Sequence, residues 1–231
     1  MESNARRLKA SYHNHTLFCD GSETPEQMVL AAIEKGFTHI GFSAHAMYPF
    51  ASAWHLPPQK FEDYRAEISR LRDAYRDRIG IFLGFEADYI GPFIQPRREL
   101  YSRFGIDYLI GSVHYIGGNG MLFTVDGPET EITEGIAGAF DGDPVPAVKT
   151  YYQQVREMVL RYDFDVVGHI DVVRRRNGTL RFFDETQPWY RKEIEETASA
   201  VAAAGKIVEI NTGGIARGSM DDVYPSTEFL S

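Results

Sequence analysis

The sequence of 231 residues has a single cysteine, Cys19, so no internal disulfide can form and a reducing compartment is the expected setting. Long apolar runs are missing too. Nothing approaches the roughly 18 consecutive apolar residues of a membrane-spanning helix. Met1–Ala10 is polar and charged, unlike a signal peptide. A cytoplasmic protein without membrane contact is therefore expected. Positive charge is scarce: 24 Lys and Arg stand against 33 Asp and Glu, a formal net charge of -9. Phosphate backbones are held by clustered Lys and Arg, so nucleic acid is not the expected partner. A small anionic substrate held by a few local arginines is compatible with this balance. The composition is otherwise globular, 43% hydrophobic and 25% charged, in a chain long enough for one domain over residues 1–231.

Short apolar, β-branched or aromatic runs recur at Ser11–Thr16, His39–His45, Ile81–Asp88, Tyr108–Tyr115, Val166–Val173 and Ile207–Thr212. Helical patterns lie between them. Thr24-Pro25-Glu26-Gln27 reads as a capping-box start with proline at the first helical position, and Gly36 as its stop. Phe61–Arg78, Val148–Tyr162 and Pro188–Ala204 supply further helices. Strands alternating with helices imply βαβ units and parallel strands. Gly117–Pro146 breaks the rhythm with dense turn chemistry, and it reads as a long loop of the kind that forms lids.

Seven histidines are present, and their placement carries the chemistry. His13 and His15 are two apart, so on a strand both imidazoles point to one side. His45, Glu86 and His114 end the second, third and fourth runs, and His169 lies late in the fifth. In parallel α/β barrels the C-terminal strand ends converge on the face that carries active sites. Core packing gives no reason to repeat imidazoles at that one level. Imidazole and carboxylate without thiolate suit zinc, iron or manganese. His39 opens a strand and His55 sits in a loop, so both are expected to be structural. Cys19 is expected to pack. Asp20-Gly21 reads either as a turn or as a carboxylate placed for metal.

The pieces His13-Asn14-His15-Thr16, Cys19-Asp20-Gly21, Phe42-Ser43-Ala44-His45, Gly84-Phe85-Glu86-Ala87-Asp88, Gly111-Ser112-Val113-His114 and Gly168-His169-Ile170-Asp171 together resemble the PHP (polymerase and histidinol phosphatase) superfamily. Cys19-Asp20-Gly21, Gly168–Arg175 and Glu209-Ile210-Asn211-Thr212-Gly213-Gly214 make histidinol-phosphatases of the PHP type the nearer likeness. The resemblance implies an α/β fold, a distorted (β/α)7 TIM-like barrel, with up to three divalent metal ions. His13, His15 and Glu86 would hold one, Asp20 and His45 a second, and Glu86, His114 and His169 the third. Arg217 and one of Arg174 or Arg175, with Arg174 favoured, resemble the phosphate-binding arginines; Arg174-Arg175-Arg176 also reads as a solvated basic strand end. The family pattern closes with a Ser-Asp-Ala-His type motif on a seventh strand. No such motif is present, so a barrel short of its last strand and helix, with two metals each short of a ligand, is expected.

The implied activity is hydrolysis of L-histidinol phosphate, a step of histidine biosynthesis. Asp88, Tyr89, Trp54 and Tyr115 are candidates to receive the cationic end of that substrate. Two other readings stay open: a PHP phosphoesterase acting on nucleotides or other small phosphate esters, and a non-catalytic metal-binding protein.

Overall fold

The computed structural model describes residues 8–48 and 52–230; the first seven residues of the polar N-terminal stretch lie outside them. The chain packs as two compact units. One takes in the residues up to Glu86 together with Tyr101–Ile110, and the other Ala87–Leu100 together with the residues from Gly111. No helix is long and apolar enough to cross a membrane among the described residues.

In the first unit β1 (Ala10–Ser11) pairs in parallel with β2 (His39–His45), and β2 with β3 (Gly80–Asp88). The start of β4 (Tyr108–Ser112) comes next in order. Helix α1 (Pro25–Glu34) carries the expected capping box, in which Thr24 Oγ1 accepts from Gln27 N–H at 3.3 Å. It stops where Gly36 takes a φ of 73°, a left-handed conformation that an L side chain would strain. Helix α2 (Phe61–Tyr75) buries Phe61, Tyr64, Ile68 and Leu71, a stripe spaced by three and four residues. Each such side chain contributes about 1.5–3 kcal/mol by leaving water. Tyr64 also donates its hydroxyl to Phe42 O at 2.8 Å, tying the helix to β2.

β2 and β3 are buried almost throughout, as parallel strands covered on both faces are. Two glycines there make room for one ring. A Cβ on Gly41 would lie 2.5 Å from the Tyr108 hydroxyl, and one on Gly84 2.5 Å from Tyr108 Cζ. The Tyr108 hydroxyl donates to Tyr12 O at 2.5 Å, one residue before the first histidine.

The second unit holds the ends of β3 and β4, an antiparallel hairpin of β5 (Tyr115–Gly118) and β6 (Met121–Thr124), and the parallel pair β7 (Val166–Val167) and β8 (Ile207–Val208). Its longer helices are α3 (Glu129–Ala139), α4 (Pro144–Arg161) and α5 (Pro188–Ala204). Arg156 on α4 donates to Glu193 Oε2 at 2.8 Å and Thr197 Oγ1 at 3.1 Å, both on α5. Tyr152 and Tyr190 share a hydroxyl–hydroxyl bond at 3.0 Å between the same helices.

Several expectations change. Gly117–Pro146 is not a long loop but mostly the β5–β6 hairpin and α3. Asn119 and Gly120 take φ of 49° and 76°, so the turn residues build a tight hairpin. Gly135 and Gly138 lower helix propensity in α3, yet a Cβ on Gly135 would collide with the Phe123 ring. Three expected strands are much shorter: Ser11–Thr16, Val166–Val173 and Ile207–Thr212 shrink to Ala10–Ser11, Val166–Val167 and Ile207–Val208. The residues past their ends leave the ladder, and His13, His15 and His169 lie there. Arg174-Arg175-Arg176 belongs to a 3-10 turn, Val172–Arg176, rather than a strand end.

Candidate metal centre

The first unit gathers His13, His15, Asp20, His45 and Glu86. Glu86, fully buried two residues before the end of β3, turns one carboxylate oxygen toward three imidazoles. Its Oε2 lies 3.1 Å from His13 Nε2, 3.3 Å from His15 Nε2 and 3.0 Å from His45 Nδ1. The parallel register sets His45 directly beside Glu86. His13 and His15 come in from beyond the end of β1, their ring centroids 5.1 Å apart. Asp20 closes the group from the other side, with Oδ1 3.1 Å from His15 Nδ1 and Oδ2 3.7 Å from His45 Nε2.

Burial opposes a charged His15, but hydrogen bonds to Asp20, Cys19 and Glu86 overcome it and hold its imidazolium form well above the ordinary range. Burial likewise opposes a charged Asp20, and the bonds to His15 and His45 prevail, so its carboxyl lies far below the usual carboxylate range. Three imidazole nitrogens around one buried oxygen form a donor set that a divalent cation would satisfy at once. His13, His15 and Glu86 lie close enough together to share one ion.

The second unit brings together His114, His169 and two carboxylates. His114 Nδ1 meets Asp88 Oδ1 at 2.5 Å, and its Nε2 faces His169 Nε2 at 3.1 Å. Two nitrogens that close share either a proton or a cation. A carboxylate on the far nitrogen fixes the tautomer and ring orientation that a metal-ligating histidine needs. The His169 backbone N–H donates to Glu209 Oε1 at 2.7 Å, which also receives the Asn211 amide at 3.0 Å.

All seven expected metal-ligating residues therefore fall into these two clusters, each within its own unit. Asp88 and Glu209 had no such role in the sequence reading. Asp88 could have been found from the strand alternation Glu86-x-Asp88; Glu209 bonds to a backbone N–H, which no residue pattern reveals. Cys19 does not merely pack: its Sγ lies 3.5 Å from His15 Nδ1. His55 is buried. It bonds Ser52 Oγ at 2.6 Å, and its ring centroid is 5.5 Å from that of His45. His39 bonds Thr38 Oγ1 at 3.0 Å and stays structural.

The arginines divide. Arg174 is buried and held by Glu185 at 2.8 Å, Asp171 at 3.3 Å and Asp222 at 3.7 Å. Burial works against its charge, but these carboxylates keep the guanidinium firmly protonated. Burial pushes the Asp171 carboxyl up in spite of Arg174 and the Ser226 N–H. Burial also pushes the nearby Tyr224 hydroxyl up to about 12. Arg175 pairs with Asp126 at 2.9 Å, and Arg176 donates to Gly127 O at 2.9 Å, both next to the hairpin. Arg217 differs. It is exposed at the end of the turn Gly213–Ala216, and its guanidinium has no carboxylate partner among the described residues.

The family model described as PHP domain matches residues 11–213, a stretch that takes in residues of both units. A probable histidinol-phosphatase of Deinococcus radiodurans is 27% identical over 221 residues, 94% of this chain and 78% of that protein. Among solved structures, the hisK protein of Listeria monocytogenes has a TM-score of 0.83 at 21% identity, covering 96% of this chain and 89% of that one, and so shares the fold. Histidinol phosphate phosphatase (HISK) from Lactococcus lactis, complexed with zinc, L-histidinol and phosphate, has a TM-score of 0.67 at 27% identity over 88% of this chain and 73% of that one. The parallel α/β strands and the clustered imidazoles thus have a family: the chain belongs to the PHP domain family.

Proposed function

We propose that this chain is a metal-dependent phosphomonoesterase that hydrolyses L-histidinol phosphate to L-histidinol and phosphate, acting in the cytoplasm in histidine biosynthesis. The observation that carries the reading is the convergence of His13, His15 and His45 on Glu86 Oε2. The PHP family membership and the zinc, L-histidinol and phosphate held by the Lactococcus lactis protein support it.

The proposed cofactors are divalent ions, up to three, of zinc, iron or manganese. His13, His15 and Glu86 are assigned to one ion and Asp20 and His45 to a second; His114 and His169 are the second unit's ligands. Such ions lower the pKa of bound water and offset charge on phosphoryl oxygens. The residues of the chain do the rest. Asp20 and Glu86 hold the imidazoles in place, Asp88 sets the tautomer of His114, and Arg217 offers a planar fork of donors to two phosphate oxygens. Arg174 and Arg175 reach phosphate only by exchanging carboxylate partners, so we assign them a supporting charge and give Arg217 the direct contact.

Phosphate release from L-histidinol phosphate and from nucleotide monophosphates tests the assignment. The account expects turnover of histidinol phosphate in clear preference to the nucleotides. Preference for nucleotides would replace the substrate. Bound metal with no turnover of any ester would replace catalysis with metal storage or scaffolding.

A further inference from the structure

The strand that delivers His13 and His15 ends early. β1 stops at Ser11, and the residues that follow have no regular ladder with β2. Yet the two rings stand on one side, both within 3.3 Å of the same oxygen. Something other than the ladder fixes this segment, and the residue between the histidines supplies it. Asn14 Nδ2 donates to Gly41 O on β2 at 2.8 Å and to Ser11 O at 3.0 Å. The Ser11 hydroxyl donates to Asn14 Oδ1 at 3.1 Å, which orients the amide so that its nitrogen faces the two carbonyls. The Asn14 carbonyl in turn accepts the Ser43 N–H at 3.0 Å.

We infer that Asn14 is a positioning residue for the metal centre: its carboxamide stands in for the missing strand ladder and holds His13 and His15 toward Glu86. The inference deepens the metal-centre reading above and rests on it. Alternation along an extended segment sends Asn14 away from the imidazoles on either side of it. It therefore touches no ion or substrate and acts through the backbone it pins. Without the amide, the Gly41 and Ser11 carbonyls lose this donor, and at the point where both histidines leave it the segment is tied to β2 only through the Ser43 N–H bond to the Asn14 carbonyl. Asparagine suits the place because one side chain carries two donors and an acceptor; aspartate of the same shape carries only acceptors.

Cobalt titration of the metal-free chain, followed by the visible absorption band and by chelator competition, tests this without reference to turnover. Asn14→Leu removes the amide while keeping the number and branching of the side-chain heavy atoms. Asn14→Asp keeps the shape and the bond from Ser11 but loses both donated bonds, and it serves if the leucine variant does not fold. Either variant is expected to bind cobalt about 10–100-fold more weakly, as loss of an outer support of a metal ligand does. The absorption band is also expected to change shape, because the two imidazoles no longer arrive together. Affinity within about twofold of wild type with an unchanged band, in a folded variant, overturns the inference alone. A wild-type chain that takes up no cobalt overturns the metal reading and this inference with it.

Discussion

Gly84→Ala tests how the fold delivers the first histidine. The added Cβ would stand 2.5 Å from Tyr108 Cζ, with further ring atoms at 2.6 and 2.8 Å. The ring cannot simply retreat. Its hydroxyl is tied to Tyr12 O at 2.5 Å, and on the Gly41 side a Cβ would likewise stand 2.5 Å from that hydroxyl. Overpacking of this kind costs about 1–3 kcal/mol. In a chain of this size each kcal/mol lowers Tm by roughly 2–4 °C, so a fall of about 2–12 °C is expected in a thermal scan. Tyr108→Phe should cost about 1–3 kcal/mol through the unpaired Tyr12 carbonyl. Because the hydroxyl is the nearest obstacle to a side chain at Gly41, Gly41→Ala should cost less in the Tyr108→Phe background. The expected coupling is about 0.5 kcal/mol or more. A Gly84→Ala chain with wild-type Tm, or strictly additive costs in the cycle, would refute the reasoning.

Glu86→Ala removes the oxygen that three imidazoles share and should strip most metal from the purified chain, as read by elemental analysis; full metal content would contradict the assignment. Thr24→Ala removes the hydroxyl that accepts the Gln27 N–H, the side-chain half of the α1 capping box, and should cost about 0.5–2 kcal/mol in urea unfolding, with no change in metal content. Asp184 accepts from Gln187 and Thr186 ahead of α5, and these bonds, Gln187 first, hold its carboxyl below the ordinary range. A carboxyl with a lower pKa folded than unfolded favours folding above its unfolded value, about 4, and that contribution is lost as pH falls through the folded value. The Tm gap between wild type and Asp184→Asn should therefore be present at pH 6 and shrink below pH 4; a gap that widens in acid would reverse the sign.

The candidate ligands were legible because the signal is a repeated one: His45, Glu86 and His114 each end an apolar run, and His169 follows one closely. α5 was legible in both its bounds, Pro188 and Ala204, since proline and Gly205 punctuate it. The shortness of β1, β7 and β8 was not, because the same side chains that suit a strand also suit an extended segment held by other bonds. α3 was hidden by glycines that serve close packing rather than a turn, Gly135 against Phe123 and Gly138 against Met121. Glu209 and Asn14 were hidden for another reason: each acts on backbone groups, and residue type alone does not say which backbone a side chain will reach. The sequence favours Arg174 as a phosphate ligand, and the three carboxylates around its guanidinium could not be read from residue type.

The central claim, that the imidazole and carboxylate clusters work through metal on a phosphate ester, comes down to phosphate release from L-histidinol phosphate before and after chelation. The account predicts that stripping the chain of metal abolishes release and that zinc or manganese restores it in step with the metal bound. Undiminished release from a chain freed of metal would contradict it.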